Sequence, residues 1–202
     1  MNKIITIGRE FGSGGREFGR RLANKLGYDY YDKEIITEIS KRTELSEKYI
    51  KQVVEKNPHE LFPITVGHSF TYIDAYALER QQSVFREQEN VLKEMAEKSD
   101  CVIVGRCGDY ILKDYNPYRI FICADMKTKL LRCKLYETEF EHEHLTDRKI
   151  VKLIKSIDKN RARYYEFYTG KKWGDKLNYD ICINTTNVDI KQTVEVVSKL
   201  FK

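Results

Sequence analysis

Apolar residues along this chain follow two periods. Five short runs are nearly continuous: Ile4–Ile7, Tyr28–Tyr31, Cys101–Val104, Ile120–Cys123 and Ile181–Ile183. They are too short for helices and lack the alternation of a strand with one wet face. They therefore predict buried strands of a parallel sheet covered on both sides. Between them the apolar positions recur at helical spacing. Phe18, Leu22 and Leu26 form one stripe and Gly27 follows as a stop signal; Val84, Phe85, Val91, Leu92 and Met95 form another. A third stripe, Ile190, Val194, Val197 and Phe201, is preceded by Asp189 as N-cap, with Gln192 three residues on as in a capping box. Strands alternating with helices predict an α/β fold: a doubly wound, five-stranded parallel sheet with helices on both faces. The interval from Asp32 to Asp100 is too long for one crossover. It holds two or three helices and an irregular stretch, Asn57–Ser69, broken by Pro58, Pro63 and Gly67, and reads as an insert over the top of the sheet.

Length and composition narrow the class. A chain of 202 residues with 33% charged and 41% hydrophobic residues fits a single globular domain, 1–202, with a proper core. No apolar run approaches the ~20 residues of a membrane span. The opening Met1-Asn2-Lys3 leads into an apolar run too short for a signal-peptide core, so a cytoplasmic location is expected. The five cysteines are scattered without metal-ligand spacing, which predicts reduced, mostly buried thiols. A net charge of +5 suits an acidic small-molecule partner, and neither nucleic acid nor membrane is expected. Oligomeric state is not legible in the sequence. The excess charge concentrates in one place: Arg148 to Lys176 carries ten basic residues against three acidic ones.

The chemistry is written in residues 4–19. A buried strand runs into Gly8-Arg9-Glu10-Phe11-Gly12-Ser13-Gly14-Gly15-Arg16-Glu17, and an amphipathic helix follows. Glycines are needed where backbone N–H groups converge on one concavity, and the helix N-terminus adds its unpaired N–H groups and positive dipole end. This is an anion site. Two nucleotide-binding arrangements compete for it. Gly12-Ser13-Gly14 with Asp32 about 20 residues on fits part of a Rossmann fingerprint. Yet Glu17 stands at the third glycine's place, and four residues separate Ile7 from Gly12, a length better suited to wrapping a phosphate chain. The phosphate-cradling loop is favoured. It is atypical. Gly15-Arg16 stands where a lysine would reach the β- and γ-phosphates, and Glu17 where a Mg²⁺-binding hydroxyl would follow. Arg16 is the first candidate for the missing charge, with Arg9 as backup; the metal ligands are not assigned. Glu141-His142-Glu143-His144 has alternating histidines and no evident third ligand, and predicts an exposed polar tip rather than a metal site.

Residues 7–17, Tyr30-Tyr31-Asp32-Lys33-Glu34-Ile35-Ile36 and Val102-Ile103-Val104-Gly105-Arg106 resemble the cytidylate kinase-like family, which groups with the phosphate-loop nucleoside monophosphate kinases. Arg161-Ala162-Arg163-Tyr164-Tyr165, Tyr168 to Gly174 and Tyr179 to Thr185 extend the resemblance over essentially the whole chain. It implies an acceptor-binding insert at about 33–99 and a helical lid with flanking helices at about 132–176. It implies that Gly12, Ser13, Gly14, Gly15 and Arg16 hold the donor's phosphates, with Glu17 at the same cofactor site holding the metal or capping the helix, and that Asn184 and Thr185 contact the donor's base. Asp32, Arg86 and Arg106 would bind the acceptor monophosphate, for which a planar guanidinium is suited. Arg161 and Arg163 would come from the lid, pointing to different sides of a helix, with Arg132 a further candidate. The cluster Tyr164, Tyr165, Phe167 and Tyr168 reads as packing of the lid helix.

The implied activity is transfer of the γ-phosphoryl group of ATP, with Mg²⁺, to a nucleoside monophosphate, CMP or dCMP first. Arg16, Arg106, Arg161 and Arg163 would neutralise charge. Two alternatives stay open: a nucleotide-sensing module without turnover, motivated by the missing lysine and hydroxyl, and an NAD-dependent dehydrogenase.

Overall fold

The computed structural model describes residues 2–43, 45–55, 75–135 and 145–201. Each continuous apolar run supplies one strand: β1 (Ile4–Arg9), β2 (Asp29–Tyr31), β3 (Cys101–Val104), β4 (Tyr118–Cys123) and β5 (Ile181–Asn184). All pair in parallel, in the order β2-β3-β1-β4-β5. The prediction of strands buried throughout holds for the centre and fails at the edges. All of β3 is buried, whereas Asp29 in β2 and Cys182 and Asn184 in β5 are exposed. An edge strand has a neighbour on one side only, so solvent reaches it.

The strand order decides between the two nucleotide folds. In a Rossmann sheet β1 lies beside β2. Here β1 lies between β3 and β4, and β2 is at the edge, which removes the Rossmann arrangement and with it the basis of the dehydrogenase reading. The chain passes from one side of β1 to the other, so a crevice opens at the carboxyl ends of the central strands, where α/β sheets bind ligands.

Helices cover both faces: α1 (Gly15–Leu26), α2 (Glu34–Thr43), α3 (Glu47–Glu55), α4 (Ala75–Lys98), α5 (Gly108–Ile111), α6 (Met126–Leu135), α7 (Asp147–Thr169) and α8 (Ile190–Val197). Alternate residues of β3 feed opposite cores. Cys101 and Ile103 pack with α2, α4 and Tyr164 and Tyr165 of α7, while Val102 and Val104 pack with Phe18 and Leu22 of α1 and Val194 of α8. Gly27 ends α1 at φ 72°, and Asp189 caps α8 by accepting from the Gln192 N–H at 2.8 Å. Beyond Val197 the third stripe continues to Phe201 in a tighter 3₁₀ turn, Ser198–Phe201. The aromatic cluster packs as expected, with Tyr168 stacked on Phe85 at 3.9 Å between centroids. Cys101, Cys107 and Cys133 are buried, Cys123 half-buried and Cys182 exposed, all as free thiols. Asn57–Ser69 and Glu141-His142-Glu143-His144 lie outside the described residues. Among those described, no helix is long and apolar enough to cross a membrane.

Candidate active site

The glycine-rich turn is fixed from behind. Glu10 N–H continues the sheet ladder to the Ile122 carbonyl at 3.0 Å. The backbone then turns through Gly12 (φ 74°) and Gly14 (φ 81°), left-handed positions that a side chain would strain. Ser13 is fully buried. Its hydroxyl donates to the Glu10 carbonyl at 2.8 Å, and its own carbonyl accepts from Thr185 Oγ1 at 2.7 Å and Arg132 Nη1 at 2.8 Å. A second buried network holds the first arm of the turn. Lys129 Nζ lies 3.0 Å from Glu10 Oε2 and 2.7 Å from Asp158 Oδ2, and Asp158 Oδ1 accepts from Phe11 N–H at 2.6 Å. Burial opposes the charge on Lys129, but Asp158 and Glu10 outweigh it and raise its pKa. With its back anchored, the turn presents Gly14 and the first turn of α1 to the crevice. That places unsatisfied N–H groups and the helix dipole at its floor.

The crevice is a cavity of about 510 Å³ in which Arg9, Arg16, Arg20, Arg21, Lys33, Arg132 and Arg161 face Glu10, Glu17, Asp32 and Glu34. Seven cations against four carboxylates leave an excess of three positive charges, at a helix N-terminus that already favours anions. Asp32, at the end of β2, is only 3% exposed. Its Oδ2 is 2.6 Å from Arg16 Nε and its Oδ1 3.9 Å from Arg9 Nη2. Oδ1 is buried without a hydrogen-bond partner, an oxygen left for a ligand. Arg161 donates to the Arg9 carbonyl at 3.2 Å and lies over the Phe11 ring at 5.6 Å. Burial lowers the pKa of Arg9, and the positive charge of Arg161 lowers it further, against the pull of Asp32. Burial and the charge of Asp32 raise the pKa of Tyr30, so it borders the cavity as a neutral phenol. Glu17, at the hydroxyl's expected place, is held by Arg21 at 2.7 Å.

Behind this floor the chain leaves β3 through three successive left-handed residues, Gly105 (φ 74°), Arg106 (φ 60°) and Cys107 (φ 52°). Two of them carry side chains, a backbone strain of about 1–3 kcal/mol each that surrounding structure must sustain. Gln88, fully buried on α4, helps by donating to the Arg106 carbonyl at 3.0 Å.

The structure brings many of the expected residues together and sets others apart. Gly12, Gly14, Gly15, Arg16, Glu17, Asp32, Arg132 and Arg161 border one cavity. Ser13 and Thr185 lie beneath the turn, where their polar atoms hold it in shape. Asn184 accepts from Thr186 N–H and Oγ1 at 3.0 and 2.6 Å and does not line the cavity. Nor does Arg163, which sits about 200° around α7 from Arg161, nor Arg86, exposed on α4. Arg106 does not line the cavity, and its charge acts on Arg9 through space. The sequence reading ranked Arg9 below Arg16 and missed Lys129 altogether. The one local signal for Lys129 was a lysine beside Leu130, Leu131 and Cys133 in a helix.

Sheet order, glycine turn and cation-rich crevice together define a phosphate-loop kinase fold. Shikimate kinase from Bacteroides thetaiotaomicron shares this fold, with a TM-score of 0.57 at 14% identity over 98% of each chain. The model of the cytidylate kinase-like family matches residues 4–187, and the chain belongs to that family. It is similar to an uncharacterised protein from Eubacterium ventriosum, with a TM-score of 0.70 and 30% identity over 99% of this chain and 98% of that one. It also resembles protein F15 of Fowlpox virus, 29% identical over 113 residues, or 51% of this chain and 75% of that protein. The family is kinase-like by description, and the fold is one that kinases share.

Proposed function

We propose that the chain transfers the γ-phosphoryl group of ATP to a nucleoside monophosphate, CMP or dCMP first. The observation that carries this reading is the excess of guanidinium charge in the crevice where the Gly12–Arg16 turn opens at the end of β1. An acceptor phosphate oxygen would form the new P–O bond as the bond between the γ-phosphorus and the β,γ-bridging oxygen breaks, yielding two diphosphates. Such a reaction needs in-line positioning and charge neutralisation rather than a covalent residue. The first-turn amides of α1 with Arg16 and Arg161 would hold the donor's phosphates, and Asp32 and Arg106 would orient the acceptor, with Arg86 and Arg163 joining on closure of a 132–176 lid over a 33–99 insert. Thr185 would act on the donor through Ser13, and Asn184 would lie near its base.

The residues present fit Mg²⁺ in a limited way. Asp32 Oδ1 is a buried oxygen that accepts no hydrogen bond, Glu17 borders the same cavity, and Mg²⁺ needs only one or two protein oxygens beside phosphates and water. When bound it would neutralise phosphate charge. A coupled assay of ADP release against CMP, dCMP, UMP, AMP and shikimate, with and without Mg²⁺, tests the reading. Release that depends on one monophosphate is expected, and its loss in Arg106→Ala. That Gly15-Arg16 stands in place of the loop lysine and Glu17 in place of the hydroxyl favours a second reading, a nucleotide sensor. ATP binding by calorimetry without turnover on any acceptor would establish it.

A further inference from the structure

Resting on the phosphotransfer reading, one question is what replaces the loop lysine. In phosphate loops a lysine in the first turn of the helix reaches the β- and γ-phosphates. Here that turn begins Gly15-Arg16, and the structure shows why no side chain grows from position 15. A Cβ on Gly15 would come 2.5 Å from Arg9 Cβ and 3.0 Å from Arg9 Cγ. The space is already filled. From there the Arg9 side chain runs on to Gly105, where an added Cβ would collide with Arg9 Nη1 and Cζ. Two glycines from separate elements, one opening α1 and one closing β3, are therefore shaped around one arginine.

The two cations named from sequence exchange rank in space. The Arg16 side chain is 46% exposed and lies at the rim, its Nε 2.6 Å from Asp32. The Arg9 side chain is 13% exposed and borders the same cavity from its floor, its Nη2 3.9 Å from Asp32. Around it stand the charges of Arg16, Arg106 and Arg161. These four guanidinium groups outnumber the carboxylates beside them, Asp32 next to Arg9 and Arg16 and Asp158 at 3.9 Å from Arg161, and a polyphosphate relieves the repulsion that remains.

We propose that Arg9, reaching in from the end of β1, is the cation that grips the donor's terminal phosphates in place of the helix lysine. Its planar guanidinium would take two phosphate oxygens where an ammonium meets them as a point charge. Arg16 then keeps Asp32 in place. The charge that ordinarily comes from the helix comes instead from the strand, and Gly15 is the vacancy that lets it through.

The test reads binding and turnover separately, with inorganic tripolyphosphate as the binding probe. Arg9→Gln should lower kcat by about 100-fold or more and weaken tripolyphosphate in calorimetry, with Arg9→Lys recovering part of both. Gly105→Ala keeps Arg9 in the sequence but takes its guanidinium's place, and should reproduce the loss. Gly15→Lys alone should be inactive, and adding Arg9→Gly to it should restore activity, because the new lysine then has the space Arg9 vacated. Wild-type binding and turnover in Arg9→Gln, or full activity of Gly15→Lys beside an intact Arg9, would overturn the proposal and return the role to Arg16. Should the wild-type enzyme turn over no acceptor yet bind tripolyphosphate through Arg9, the phosphotransfer reading would fail and the assignment of Arg9 would stand.

Discussion

Two ionic networks flank the glycine turn and differ in their charge balance. On one side Lys129 meets two carboxylates, Glu10 and Asp158. On the other, Asp32 meets Arg9 and Arg16, and the charges of Arg106 and Arg161 bear on Arg9, with Arg161 also 3.9 Å from Asp158. The first network satisfies its buried cation and fixes backbone: Asp158 also takes the Phe11 amide, and Glu10 takes the Ala124 amide at 3.2 Å. The second leaves positive charge over. A network with its counter-ions built in holds structure, and one that is short of anions awaits them from a ligand.

Breaking the balanced side should cost most stability. Lys129→Met leaves two shielded carboxylates without their cation and should lower unfolding free energy by about 3 kcal/mol, measured by urea denaturation. Breaking the unbalanced side should cost function instead. Arg161→Ala should reduce kcat/KM by about 100-fold, while the melting temperature stays close to wild type because mutual repulsion falls as packing is lost. A drop as large as that of Lys129→Met would erase the distinction between the networks. Supplying the missing anion should sharpen it. Tripolyphosphate at about 100 times its Kd should add about 2.7 kcal/mol, a rise of roughly 5–10 °C in Tm for a chain of this size, and Arg9→Gln should abolish that rise.

The smallest effect tests a half-buried acid that belongs to neither network. Asp109 on α5 accepts from Tyr165 Oη at 2.6 Å, and burial raises its pKa against that hydrogen bond. An acid whose folded pKa lies above its unfolded one binds more protons when folded, so its ionisation costs stability as pH rises through the folded value. Asp109→Asn keeps an acceptor for Tyr165 and removes that cost. Its Tm should exceed wild type slightly at pH 7, and the gain should vanish below the unfolded pKa of about 3.9.

The sequence by itself determined the strands, the principal helical stripes and the anion-binding turn. Each of these is a local matter: an unbroken apolar run must be covered on both faces, a stripe at helical spacing must be buried, and Gly12 and Gly14 must stand where φ is positive. The family was legible for the same reason, in contiguous stretches such as residues 7–17. What only the tertiary structure decided depends on residues far apart in the chain. Strand order removed the Rossmann alternative, because a local fingerprint does not say which strand lies beside β1. Lys129 found Glu10 and Asp158 across distances that no spacing encodes, and Thr185 placed its hydroxyl on the Ser13 carbonyl. Arg9 and Arg16 look alike in sequence, two arginines on one loop. Folding set them apart, because only in three dimensions do Gly15 and Gly105 leave a channel, and only one of the two side chains lies in it.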